Sequence, residues 1–378
     1  MNGISRRVML AGLAGASAFG SQAVGQERRV GPATLLNALK SARGGETILL
    51  EPGRYGPLEI AGLQFADLVH LKSETPRGAV FPRIVISGCR NLRIDGVHVS
   101  NPGNGGSGAR IVNIIDQSQN IHFMNSEVNA KIDGTREGFY AIHGTGNLRD
   151  IIIAGNYLHD IKVGVAFFGV QNLAVQDNRI DRILGDSFKF SHIENGAIER
   201  NMGARTIFSV PGEHYDFVQF QGDSRNVVVR NNLSMPRTVP NVQGVFLNNG
   251  RYSDILVENN VIVSSQIRGV SINNSTNSVA RNNTLINIPG IGAKATKAID
   301  FSDYYNNILT SYPSDAGQDR NLTLQNTQPG KPFYYGDYFA NPEAGLEMTL
   351  RDLLPRPGSL AERFGAVGTV EAFLRRYG

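Results

Sequence analysis

The chain has 378 residues, no tryptophan and a single cysteine. The lone Cys89 excludes an intramolecular disulfide and a cysteine-based metal cluster. It stands in Ile86-Ser87-Gly88-Cys89 with no histidine beside it, which reads as a small buried apolar side chain rather than a nucleophile. There is no run of Lys or Arg and no interleaved basic–aromatic patch, so the formal net charge of +4 implies no nucleic-acid partner. No apolar stretch is long enough to span a bilayer as a helix.

The N-terminus reads as a targeting segment. Ser5-Arg6-Arg7-Val8-Met9-Leu10 resembles a twin-arginine export signal, and the mildly apolar Ala11–Gly20 follows it. Residues 1–25 are therefore assigned to export, with processing near Ala23 or Gly25 and a periplasmic or secreted location. Loss of Arg6 and Arg7 lowers the positive charge by two.

What the chain has in quantity is glycine, 43 residues, with 41% hydrophobic residues. This fits many short strands and tight corners better than long helices. A four-residue motif recurs: Asn-Leu-Arg-Ile at 91–94, Asn-Ile-His-Phe at 120–123, Asp-Ile-Ile-Ile at 150–153, Asn-Leu-Ala-Val at 172–175, Asn-Val-Val-Val at 226–229 and Asp-Ile-Leu-Val at 254–257. Weaker copies start at Asn195 and Asn277, so the steps run from 22 to 31 residues. A strand repeat of this size predicts a stacked solenoid, which absorbs residues 26–310 as one unit because each coil buries its apolar edge on its neighbours.

A second strand per coil reads apolar-x-apolar: Tyr140-Ala141-Ile142, Val165-Ala166-Phe167, Phe188-Lys189-Phe190, Val218-Gln219-Phe220, Val245-Phe246-Leu247, Val270-Ser271-Ile272 and Ile299-Asp300-Phe301. Strand side chains alternate faces, so the flanking residues fill the core and the middle ones form an outward column. Between the two strands stand Asn156, Asn178, Asn201, Asn232, Asn260 and Asn283, read as an internal hydrogen-bonded ladder rather than a site. Leu35, Leu36 and Leu39 predict a capping helix over 33–42, followed by a strand at Thr47–Leu50. Residues 311–378, with a last helix near 370–377, are expected to cap the other end.

The stretch from Ala38 through Gly44-Gly45-Glu46-Thr47-Ile48-Leu49-Leu50-Glu51-Pro52-Gly53-Arg54-Tyr55 resembles the opening of the pectin-lyase-like superfamily. The resemblance implies an all-β, single-stranded, right-handed parallel β-helix with an N-terminal capping helix and an irregular C-terminal cap. It also implies an enzyme of the polysaccharide lyase, glycoside hydrolase or uronate epimerase type. The Arg-x-Pro-x-x-Arg, paired Asp-Asp with Gly-His-Gly, and Asp-Pro-His-Asp motifs of particular relatives are absent from this chain.

The richest chemistry lies in Gly185-Asp186-Ser187-Phe188-Lys189-Phe190-Ser191-His192 and, one coil later, Glu213-His214-Tyr215-Asp216-Phe217-Val218-Gln219-Phe220-Gln221. Stacking places Lys189 beside Gln219, Ser191 beside Gln221 and then Asn248, and Asp186 beside Asp216, Gln243 and Arg268. The long loops 202–214 and 234–242 add Arg205, His214 and Arg237. β-Elimination on a uronate polymer needs a base, neutralisation of the carboxylate and a proton donor. Lys189 or His214 fits the base, Arg205 or Arg237 the carboxylate, and Tyr215 or His214 the donor. Gln219, Gln221, Asn248, Asp186, Arg237 and Arg268 would hold substrate. The competing reading makes Asp216 with Asp186 or Glu213 a glycosidase or epimerase pair. The same carboxylates are of the type that binds Ca²⁺, though no cofactor is required by the pattern. A non-catalytic carbohydrate-binding protein is the third reading. In each the partner is an acidic polysaccharide, with neither nucleic acid nor membrane. His122 is expected to be a structural strand residue, and His143 and His159 turn residues.

Overall fold

Strands that each carry one apolar face, with few long helices to cover them, bury that face by stacking on the next coil. The computed structural model describes residues 27–103, 106, 108–133, 138–208, 215–236, 242–265, 268–288 and 298–377. In it the chain winds into a parallel β-helix of about nine coils. The recurring motif supplies one face: Leu92, Ile121, Ile151, Leu173, Gly196, Val227 and Ile255 stand side by side in successive strands. The second strand supplies another, through Val165, Phe188, Val218, Val245, Val270 and Ile299. These residues form the core, fully or almost fully excluded from solvent.

Two features differ from the sequence expectation. The first triplet is out of register by two: Ile142, not Tyr140, stands beside Val165, so His143 takes the outward position. The third inward place of that coil is Gly144, which hides the pattern. A Cβ on Gly144 would lie 2.2 Å from the Phe167 ring, so the neighbouring phenylalanine fills the space itself. There is also a third strand per coil. It forms two six-stranded parallel-dominated sheets, one including His98–Ser100, Glu127–Asn129, Tyr157–Ile161 and Arg179–Ile183, the other including Val261–Ser264, Thr284–Asn287 and Ile308–Thr310. These strands, two to five residues long, are too brief to show a period.

Two ladders hold the corners. The leading Asn or Asp of each motif copy adopts left-handed backbone, with φ of 49–62°. Asn120, Asn172, Asn195 and Asn226 each donate to the equivalent residue one coil back at 2.7–2.9 Å. The second ladder is buried from Asn156 to Asn307, with only its last rung half-buried. From Asn156 through Asn178, Asn201, Asn232, Asn260, Asn283 and Asn307 to Asn321, each Nδ2 donates to the next Oδ1 at 2.9–3.1 Å. The ladder thus runs two residues beyond the column visible in the sequence. Residues Asn231, Asn259, Asn282 and Asn306, immediately before it, are left-handed, which turns the chain into the third strand.

Helix α1 (Leu35–Ser41) closes the first coil with Leu35, Ala38 and Leu39, leaving Leu36 exposed. The strand pattern continues past residue 308, through Ile308–Thr310 and Leu322–Leu324. The C-terminal segment then folds back over the later third-face strands, packing Tyr334, Phe339, Leu353 and Phe373 on Leu233, Val261, Ile286 and Leu322. Its helix α2 (Val367–Tyr377) is tied down by Thr369 Oγ1 donating to the Asn259 carbonyl at 2.6 Å and by Arg376 on Asp177 at 2.7 Å.

Candidate functional site

The outward column of the second strand runs Glu59, Val85, Asn113, His143, Ala166, Lys189, Gln219, Phe246, Ser271 and Asp300 in register. Where each of these strands begins, a corner carries a second column. There the Asp216 N–H donates to Asp186 Oδ1 at 3.0 Å, and Asp216 stands in register with Gln243. The columns meet through (i, i+3) contacts. Lys189 Nζ lies 3.3 Å from Asp186 Oδ2, and Gln219 Nε2 donates to Asp216 Oδ2 at 2.7 Å. Two aspartates thus stand on adjacent coils, whose backbones are roughly 5 Å apart, each held by one side chain of the neighbouring column.

This strip is unusually polar for its burial. Asp216 is fully buried and Asp186 is 7% exposed. Burial, reinforced by the Asp216 charge, pushes the Asp186 carboxyl up to about 6 despite the opposing pull of Lys189. Further along, Gln219 Oε1, Gln243 Oε1, Arg268 Nε and Ser271 Oγ are buried without a hydrogen-bond partner among the described residues. Buried polar atoms are normally paired, so a row of unmet ones marks a surface prepared for something else. The Arg268 guanidinium also lies over the Phe246 ring, 4.9 Å from its centre.

Lys189, Gln219, Asp186 and Asp216 are therefore brought together as expected, with Arg268 following in the same strip. Gln221 and Asn248 are paired in register at the far end of their strands. Arg205 lies half-buried in the loop after Asn201. Tyr215 is a correction. It is 2% exposed and part of the main core, its hydroxyl 2.8 Å from Ser187 Oγ. Burial holds its phenol well above the ordinary range, and its ring packs in the apolar core rather than in the polar strip of Lys189, Asp186 and Asp216. His214, Glu213 and Arg237 lie outside the described residues, as does the export segment.

His143 was missed as a groove residue because of the register shift at Gly144. It sits in the strand Tyr140–Ala154, two coils before Lys189, with Nδ1 2.9 Å from Asn113 Oδ1. Burial, with Arg110 in support, holds its imidazole down to about 4, so it is neutral at ordinary pH. The half-buried Tyr140 and Phe168 rings flank it. His159 is likewise a strand residue, clamped on the third face between Glu127 and Asp160. Among the described residues no group of three or more His, Cys, Asp or Glu side chains is placed to hold a metal ion, and no helix is long and apolar enough to cross a membrane.

A family model described as "Periplasmic copper-binding protein (NosD)" matches residues 218–344. That segment has no His, no Cys and a single Met, Met235, so the soft and imidazole ligands that copper favours are missing from it. The match therefore speaks for the coil repeat. No curated protein sequence matches the chain. Among solved structures, the GH136 lacto-N-biosidase from Eubacterium ramulus superposes with a TM-score of 0.51 at 10% identity, over 80% of this chain and 68% of that one. The Dettilon tailspike protein gives 0.51 at 15% identity, over 78% of this chain and 58% of that one. Taken with the register and the ladders, these likenesses identify the fold: the chain is a right-handed parallel β-helix.

Proposed function

We propose that this is an exported carbohydrate-active enzyme that cleaves a glycosidic bond in an acidic polysaccharide, with Asp186 and Asp216 as its acid–base pair. The observation that carries this reading is the pinning of one carboxylate to the backbone N–H of the other on adjacent coils. Their surroundings separate their roles. Asp186, pushed up to about 6, keeps its proton to a higher pH than an ordinary carboxyl and, below about pH 6, can give it to the leaving oxygen. Asp216 is the partner carboxylate that acts on water or on the anomeric carbon. Lys189, Gln219, Gln243 and Arg268 would bind the sugar hydroxyls and carboxylates. The description of the matching family model as periplasmic agrees with the export-like N-terminus.

The geometry thereby favours hydrolysis over the β-elimination first expected. Lys189 is committed to Asp186, which suits an anchoring cation better than a base, and Tyr215 is removed to the core. Elimination remains the second reading because two cations, Lys189 and Arg268, flank the strip and could neutralise a uronate. A panel of uronate polymers with product mass spectrometry decides between them. Hydrolysis yields fragments whose summed mass exceeds the polymer by one water, without ultraviolet absorbance. Elimination yields unsaturated, absorbing fragments of unchanged total mass. No product from any polymer, with binding retained in the Asp186→Asn and Asp216→Asn variants, would overturn both in favour of a binding protein.

A further inference from the structure

The corner after the groove-face strand is left-handed in coil after coil. Its occupants include Gly88, Asp116, Gly146, Gly169, Gly222, Asn249 and Asn274, all at positive φ. These are the residue types that this backbone conformation accepts most readily. In one coil the corner is His192, at φ 53°. The imidazole adds nothing to the core, for His192 is exposed. Histidine is among the side chains that left-handed backbone accepts, and of these corner residues it alone brings a titratable ring nitrogen.

What the imidazole meets is Ser191. Alternation along a strand would send neighbouring side chains to opposite faces, but the left-handed corner turns His192 back. Ser191 Oγ and His192 Nδ1 lie 2.7 Å apart. With the ring proton on Nε2, the hydroxyl donates to Nδ1, the relation of a nucleophile to its general base. Gly222, on the next coil, presses its backbone on the pair: a Cβ there would stand 2.6 Å from Ser191 Oγ and 2.8 Å from His192 Cε1. Asp223 lies within electrostatic reach of His192 and is itself fixed by Arg251 at 2.9 Å. The imidazole borders an open cleft of about 500 Å³ to which Arg225 and Tyr252 also contribute.

We infer that Ser191 and His192 form a nucleophile–base dyad that hydrolyses O-acyl esters borne by carbohydrate hydroxyls. Ser191 Oγ attacks the ester carbonyl carbon while its proton passes to His192 Nδ1. The bond from that carbon to the sugar oxygen breaks, and the sugar oxygen takes the proton. Water then attacks the acyl-serine, giving its proton to the same nitrogen. The carboxylic acid leaves and Ser191 recovers its hydrogen. The net change is ester plus water to acid plus alcohol, with no other reactant. This activity does not depend on the Asp186–Asp216 pair.

The test uses the full-length protein with 4-nitrophenyl acetate and a serine-reactive fluorophosphonate. The decisive variant is His192→Asn, because asparagine is what the same corner carries at positions 249 and 274 and should fold there. We expect the wild type to hydrolyse the ester and to carry one phosphonyl adduct on Ser191. Ser191→Ala and His192→Asn should lower kcat/KM about 10²–10⁴-fold, with unchanged circular dichroism and melting temperature. Labelling at another residue, or rates in both folded variants within twofold of the wild type, would overturn the assignment.

Discussion

The buried asparagine ladder and the polar strip around Lys189 both run along this β-helix, and they differ in one respect that separates architecture from chemistry. The ladder from Asn156 to Asn321 repeats one residue type, and each rung answers the next. Asn232, for example, accepts from the Asn201 N–H and Nδ2 and donates to the Ile198 carbonyl and to Asn260 Oδ1, all at 2.8–3.1 Å. The strip around Lys189 and Asp216 mixes Lys, Gln, Asp, Arg and Ser, and ends in atoms on Gln219, Gln243, Arg268 and Ser271 that have no partner among the described residues. A uniform, satisfied column stabilises the coil. A varied, unsatisfied one costs stability, since each buried polar atom without a partner is unfavourable by about 1–3 kcal/mol. Such a cost persists where the atoms meet another molecule.

The comparison can be broken most sharply at the carboxylates. Asp186→Asn and Asp216→Asn should each lower the cleavage rate on a responsive polysaccharide about 10²–10⁴-fold, while far-ultraviolet circular dichroism stays unchanged. Full activity in either variant would move the centre elsewhere. In the satisfied column, Asn232→Ala should leave the chemistry alone and destabilise the fold by about 3 kcal/mol or more, because several buried groups lose partners at once. Urea unfolding would show this as a lower midpoint; no shift would remove the ladder from the account of stability.

Asp186 links the two effects through pH. Its carboxyl is pushed up to about 6 in the folded chain, against about 3.9 when unfolded. The unfolded state therefore releases the proton first. The stabilising contribution is complete below about pH 4 and is lost as pH rises through about 6. Asp186→Asn should flatten this decline and leave the protein more stable at pH 7 though inactive. The cleavage rate of the wild type should fall over the same range, as the acid form disappears. A thermal-melt series from pH 4 to 8 on both proteins tests the first statement, and a pH–rate profile the second. The smallest effect belongs to Gln243→Leu. Removing an unpartnered buried amide oxygen should be neutral or stabilising by about 1 kcal/mol, with KM rather than kcat disturbed if the amide binds sugar. A loss of stability there would show that the amide has a structural partner.

Much of the architecture was legible because a solenoid reads itself out as a period. The eight motif copies, the second-strand triplets from Val165 onward and the asparagine column needed only alternation and spacing. The third strand was not legible, since two to five residues cannot display a period of two. Nor was His143, because a glycine stood where the apolar pattern required a side chain, and only the Phe167 ring filling that space shows why. Tyr215 illustrates the converse. It looked like a proton donor in a His-Tyr-Asp run, but Tyr215 and Asp216 are consecutive residues of one strand and so point to opposite faces. With Asp216 in the polar strip, the Tyr215 side chain falls in the core, beside Ser187.

Sequence by itself determined the coil. Local alternation, left-handed Asn and Gly corners and a repeated asparagine leave few other ways to bury the apolar edge. Which polar side chains face one another was decided by tertiary structure alone. Register between coils separated by 22 to 31 residues sets whether Asp186 meets Asp216 and which backbone of the next coil presses on Ser191 and His192. The chemistry of each group then depends on burial and on neighbours that no single strand contains.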